Sequence, residues 1–162
     1  MKADFINPVL QSSTKILKIL LSQDVRLGKP EIVKRHVLLD VVAILFWMTG
    51  DFQGRFLFSM SRASARHIVT SLTGEESDQL DELGKSALGE MASMILGRCG
   101  ILFSERGIDI RIGYPTIVEG ANVHCTPLGG ETEGRILLIP LLLENGDMVD
   151  VRIEEGTQFG RF

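Results

Sequence analysis

The 162 residues predict one α+β domain, a largely antiparallel sheet backed by an N-terminal helix and two central helices. Three observations carry this expectation. Helix-period segments are segregated from β-rich runs, whereas a parallel sheet would alternate the two. The β-rich runs are separated by turn sequences, Gly28-Lys29-Pro30, Thr49-Gly50-Asp51 and Glu144-Asn145-Gly146-Asp147, that suit strands joined by tight turns. The composition, 44% apolar against 23% charged, is able to bury a core, and the length calls for only one.

The elements follow in order. Between Phe5 and Leu21 the apolar residues Val9, Ile16, Leu17, Ile19, Leu20 and Leu21 recur at roughly helical spacing, with Asn7-Pro8 near the start. Runs from Val25 to Val33, Val37 to Trp47 and Gly54 to Met60 read as strands. Ser61 is placed to cap a helix ending near Ser71. Thr73 and Glu76, at capping-box spacing, open a longer helix that runs to about Arg98. Ile108 to Val118, Arg135 to Leu143 and Met148 to Ile153 complete the strands. The polar stretch Gly120 to Gly134 holds four of the 17 glycines and reads as an exposed loop or arm.

Several function classes are disfavoured. The net charge is −4 and the 17 Lys and Arg residues are dispersed, so no basic stripe exists for nucleic acid. Two cysteines, Cys99 and Cys125, do not make a disulfide framework, and the start Met1-Lys2-Ala3-Asp4 does not read as a secretory leader. The apolar run Val37 to Met48 is interrupted by Asp40 and is too short for a bilayer. The expectation is a cytoplasmic protein with neither membrane nor nucleic-acid partner. His124-Cys125 has no accompanying ligand pair, so no metal site is expected, and no cofactor of the chain's own. Gly129-Gly130 is not followed by the Lys-Ser or Lys-Thr of a phosphate loop. His67, beside Arg62 and Arg66, reads as a surface residue, and Cys99, near a helix C-terminus, as core.

The longer central helix carries the functional reading. On a wheel, Leu80, Leu83, Ala87, Met91, Met94 and Ile95 fall on one side, which reads as core. Glu82, Ser86, Gly89, Glu90, Ser93, Gly97 and Gly100 fall on the other. An ordinary solvent face carries long charged side chains, but this one is short and glycine-lined. Helical glycine costs up to about 1 kcal/mol relative to alanine, so Gly89 and Gly97 require a reason. Close approach of a partner, of the first helix or of a dimer mate would each supply one.

The order Ser86-Ala87-Leu88-Gly89-Glu90-Met91-Ala92-Ser93 resembles the signature helix of the CheC, CheX and FliY phosphatase family. That signature is Ser or Asp, three residues, Glu, two residues, Asn, then Pro about 21 residues later. Ser86, Glu90 and Pro115 match, and Ser93 stands where the family has its catalytic Asn. The Asn7-Pro8 start, the helix after Phe58-Ser59-Met60-Ser61 and the closing strands extend the resemblance over nearly the whole chain. One signature helix, not two, is closer to the CheX type than to CheC.

The resemblance implies a two-layer fold and action on the aspartyl phosphate of a phosphorylated CheY-type receiver, which supplies Mg²⁺ from its own site. Glu90 would pair with the receiver's active-site lysine, and Ser93 would take the place of the amide that positions the attacking water. Ser86, Gly89 and Gly97 would belong to the same docking face, and a homodimer built through sheet edges is implied. Serine offers one rotatable hydroxyl on a shorter arm where asparagine offers a planar acceptor and donor. Weak phosphatase activity and non-catalytic receiver binding therefore both remain open.

Overall fold

The computed structural model describes residues 2–33, 36–38, 41–125 and 135–156. Helix α1 spans Ala3–Leu21 and leads into β1 (Val25–Leu27) and β2 (Glu31–Val33). Next come β3 (His36–Leu38), β4 (Val41–Gly50) and β5 (Gly54–Ser61). Helices α2 (Arg62–Thr73) and α3 (Glu82–Glu105) are central. Strands β6 (Ile110–Ile112), β7 (Thr116–Gly120), β8 (Val123–Cys125), β9 (Ile136–Leu143) and β10 (Met148–Glu155) close the chain.

Eight strands form one sheet with the path β1-β9-β10-β5-β4-β6; β2 joins β9 beside β1, and β7 joins β4 beside β6. Every pairing is antiparallel. Strands β3 and β8 form a separate two-stranded ribbon, also antiparallel.

The period-2 alternation of the strands gives the sheet two distinct faces. One face presents Val42, Ile44, Phe46, Phe56, Phe58, Val151 and Ile153 to α1, α2 and α3, and this is the main core. The other carries a smaller cluster of Val41, Ala43 and Leu57. Beside it lie charged residues, Arg152 only 7% exposed and Glu154 only 2%. Arg55 Nε donates to Glu154 Oε2 at 2.5 Å, while Arg152 donates to Asp150 at 2.9 Å and to the Ser59 hydroxyl. Arg55, Arg152 and Glu154 line a cavity of about 260 Å³. Buried charges of this kind are tolerated because they are paired.

Several elements depart from the sequence reading for local reasons. Helix α1 begins at Ala3, which leaves Pro8 inside it. The Pro8 carbonyl accepts the thiol of Cys99 from α3 at 3.7 Å. The run from Val37 to Trp47 is two strands, one in the ribbon and one in the main sheet, and Val25 to Val33 likewise divides into β1 and β2. Thr73 ends α2 and opens nothing: its hydroxyl bonds to the Val69 carbonyl, and Gly74, at φ 76°, supplies the left-handed cap. Asp81 caps α3 instead, accepting from the Gly84 N–H at 2.8 Å, and α3 continues past Arg98 to Glu105. Ser61 caps α2 as its position requires, accepting from Ser64 N. Part of the expected Gly120 to Gly134 loop is strand β8; residues 126–134 lie outside the described residues.

Helix α3 is, among the described residues, long and apolar enough to cross a membrane by length and composition. Its apolar side, Leu88, Met91, Ile95, Cys99 and Phe103, is instead buried in the main core. Burial holds the Cys99 thiol up, at about 11.

Candidate site on the outer face of α3

The core side of α3 is Gly84, Leu88, Met91, Ala92, Ile95, Leu96, Cys99 and Phe103. This is rotated from the expected one: Leu83 and Met94 are exposed at 53% and 40%. The rotation follows from the neighbours, because α3 must meet both α1 and the β6–β7 edge of the sheet. At about 100° per residue, Leu83, Ser86, Glu90, Met94, Gly97 and Ile101 form one outward stripe, with Ser93 on its flank. The expected polar face is therefore outward, as read from sequence, but an apolar border of Leu83, Met94 and Ile101 accompanies it.

Glu90, Ser93 and Gly97 are exposed, and no described residue forms an ion pair with Glu90. Nearby charge is already matched: Glu119 on β7 meets Arg62 at 3.0 Å and Lys85 at 4.0 Å. The Ser93 hydroxyl donates to the Gly89 carbonyl at 2.9 Å. A Cβ at Gly89 would only graze Ile117 at 3.9 Å, and at Gly97 or Gly100 it would meet nothing within 4 Å. Contact with α1 therefore does not account for these glycines.

Helix α3 runs alongside the sheet edge in a regular ladder. Lys85 reaches Glu119, and Gly89 lies against Ile117. Four helical residues, about 6 Å, thus keep pace with two strand residues, about 6.6 Å. Beyond the ladder's far end Ile108 N donates to the Phe103 carbonyl at 3.0 Å, so α3 runs antiparallel to the chain from β6 to β7. Ser86, Glu90 and Ser93 lie on the exposed side of this helix.

The edge strand is interrupted here. Ile112 pairs with Met48 and Thr116 with Leu45, so three residues, Gly113, Tyr114 and Pro115, stand opposite two, Phe46 and Trp47. That is a one-residue β-bulge, anchored by Gly113 N to the Trp47 carbonyl at 2.8 Å. Tyr114 is 96% exposed. The sequence reading did not single it out, although a Gly-Tyr-Pro run inside a strand pattern is a bulge signal.

The other candidates are accounted for elsewhere. The His67 side chain is exposed and pairs with Asp147 at 3.0 Å, which also accepts from Ser64 at 2.9 Å, tying α2 to the β9–β10 turn. His124 is exposed, and among the described residues no three His, Cys, Asp or Glu side chains gather to hold a metal ion.

Known proteins resemble the chain at three levels: a family model, a curated relative and solved structures. The family model described as "Chemotaxis phosphatase CheX" matches residues 42–138. The chain is 28% identical over 158 residues to the CheY-P phosphatase CheX of Thermotoga maritima, covering 94% of this chain and 96% of that protein. A CheC-like superfamily protein from Shewanella sp. PV-4 superposes with a TM-score of 0.83 at 24% identity, over 97% of this chain and all (100%) of that one. The CheX of a CheX-CheY-BeF3-Mg²⁺ complex from Borrelia burgdorferi gives a TM-score of 0.77 at 21% identity, over 96% and 100% of the two chains. The fold is that of the CheC/CheX-like proteins.

Proposed function

The chain belongs to the CheX family of chemotaxis phosphatases, and on that premise we propose that it docks a phosphorylated CheY-type receiver on the outer face of α3. The observation that carries the proposal is the exposed Glu90, without an ion pair among the described residues, at the centre of a face where a Cβ at Gly97 would meet nothing within 4 Å and one at Gly89 only Ile117 at 3.9 Å. An anion held at a desolvating interface gives a charge-assisted contact to an ammonium and fixes register. The receiver's active-site lysine is the cation the family pattern assigns to Glu90. Ser86, Gly89 and Gly97 let the receiver surface lie close, and Pro115 helps shape the adjoining edge.

Hydrolysis adds water to phosphorus, breaks the phosphorus–aspartate oxygen bond, and releases inorganic phosphate and a free receiver carboxylate. The receiver brings the Mg²⁺ that offsets the phosphoryl charge. This chain's contribution is to place the water. The Ser93 hydroxyl already donates its hydrogen bond to the Gly89 carbonyl, so in this rotamer it meets a water as an acceptor only. It also lacks the reach of an asparagine amide by roughly 1 Å, a displacement that costs on the order of 10²-fold in a positioned reaction. We therefore assign this chain weak phosphatase activity. The committed Ser93 proton equally favours a second reading, a receiver-binding module without turnover.

The same premise extends to the assembly. We propose one domain over residues 1–162, cytoplasmic, acting as a homodimer through sheet edges; the exposed Leu27 and Ile32 on the β1–β2 edge support an edge contact.

The test is phosphate release from the phosphorylated receiver with and without this protein, alongside binding of the beryllofluoride-activated receiver to wild type and Glu90→Ala. Acceleration of release supports the phosphatase. Tight binding without acceleration supports the module. Binding equally strong in Glu90→Ala removes α3 as the docking face.

A further inference from the structure

We propose that Tyr114 is a second contact with the docked receiver and sets its orientation beside Ser93, an inference that rests on the receiver reading above. The bulge decides which way Tyr114 points. Ile112 and Ile117 both pack on the helix-side core. Side chains alternate along a strand, so two residues on from Ile112 is Tyr114, and two residues back from Ile117 is Pro115. With one residue inserted between these frames, Tyr114 and Pro115 both fall on the side of the sheet that carries α3.

Position along the helix follows from the ladder. Lys85 is level with Glu119 and Gly89 with Ile117, which brings Ser93 to Pro115 and sets Tyr114 between the levels of Ser93 and Gly97. On the wheel, Gly89, Ser93 and Gly100 form the flank of α3 nearest this edge, so the phenol stands on the Ser93 side of the outward stripe. In this frame Tyr114 continues the row of Ile110 and Ile112, yet where those two pack against the core, Tyr114 is 96% exposed.

Such exposure has no internal purpose, since a tyrosine gains stability by burying its ring and bonding its hydroxyl. Together with Leu83, Met94 and Ile101 the ring frames the polar centre formed by Ser86, Glu90, Ser93 and Gly97. A polar contact bordered by apolar side chains that exclude water is how interfaces strengthen a central charge pair, and tyrosine is among their preferred anchors. The occupant is the receiver, because the frame is continuous with the face that Glu90 occupies.

The experiment titrates the beryllofluoride- and Mg²⁺-loaded receiver onto wild type, Tyr114→Ala, Tyr114→Phe and Glu90→Ala, with circular dichroism as the fold control. Expected is a loss of about tenfold or more in affinity for Tyr114→Ala and nearly wild-type binding for Tyr114→Phe. A photocrosslinking residue at position 114 is expected to capture the receiver only when Glu90 is intact. If wild type binds, Glu90→Ala does not, and Tyr114→Ala binds as wild type without crosslinking, this inference falls while the receiver reading stands. If wild type fails to bind the loaded receiver, both fall together.

Discussion

The hydroxyl of Ser93 donates to the carbonyl of Gly89 one turn back along α3, at 2.9 Å. A side chain placed to address a partner is thereby tied to its own helix, as serine in a helix interior commonly is. Asparagine at the same position offers a planar amide with an acceptor and two donors on a longer arm, so groups remain for a partner.

Ser93→Asn is accordingly expected to raise receiver dephosphorylation by roughly 10 to 100-fold, or about 1.4 to 2.7 kcal/mol of barrier, with little change in receiver affinity. Single-turnover phosphate release measures the rate, and titration with the activated receiver measures the affinity. An unchanged rate would mean that the geometry, not the residue type, is what limits turnover.

Gly97→Ala separates stability from binding. The added Cβ meets nothing within 4 Å. Thermal or denaturant unfolding should show stabilisation of roughly 0.5 to 1 kcal/mol from improved helix propensity. Receiver binding should weaken, because the methyl group occupies the space into which the partner lies. A stabilised variant with full affinity would place the partner elsewhere.

Cys99 makes stability depend on pH in the alkaline range. Burial raises its thiol from 9.0 to about 11, so the folded state holds the proton more tightly than the unfolded one. A group raised in the folded state contributes fully below its unfolded value, and its contribution is lost as pH rises from about 9 toward 11. The unfolding free energy from denaturant titration should fall over that interval by an amount on the order of 2 kcal/mol. The slope should flatten in Cys99→Ala, and Cys99 in the native protein should resist alkylation near neutral pH.

Glu154 tests the helix-free face. Its carboxylate bonds Arg55 at 2.5 Å with side chains only 3% and 17% exposed. Glu154→Ala leaves a buried guanidinium without that counter-charge and is expected to cost about 3 kcal/mol in chemical denaturation. Replacing both Arg55 and Glu154 with apolar residues of similar volume should cost less than the single change, since the desolvation penalty leaves with the charges.

Much of the site was legible in the sequence because its spacing is local. Ser86, Glu90 and Ser93 share a helix, and helical periodicity alone puts them on one face with Gly89 and Gly97. Chemistry at the helix end was less legible: Thr73 and Asp81 both offer capping oxygens, and only the packing of Gly84 against Val69 and Leu80 fixes which one opens α3. The core side was misplaced for a related reason. Leu83 and Met94 are apolar enough for a core, but α3 is packed by α1, α2 and the β6–β7 edge, and these together set the surface left uncovered.

Local pattern by itself determined the α+β class, the hairpin at Asn145-Gly146 and the outward polar face of α3, because each depends on periodicity or turn chemistry within a few residues. The tertiary structure decided which strands are neighbours, and that Gly113, Tyr114 and Pro115 stand opposite two residues of β4 with Tyr114 exposed. Those relationships depend on strand register, and register is set by pairing between segments more than sixty residues apart, which no local pattern encodes.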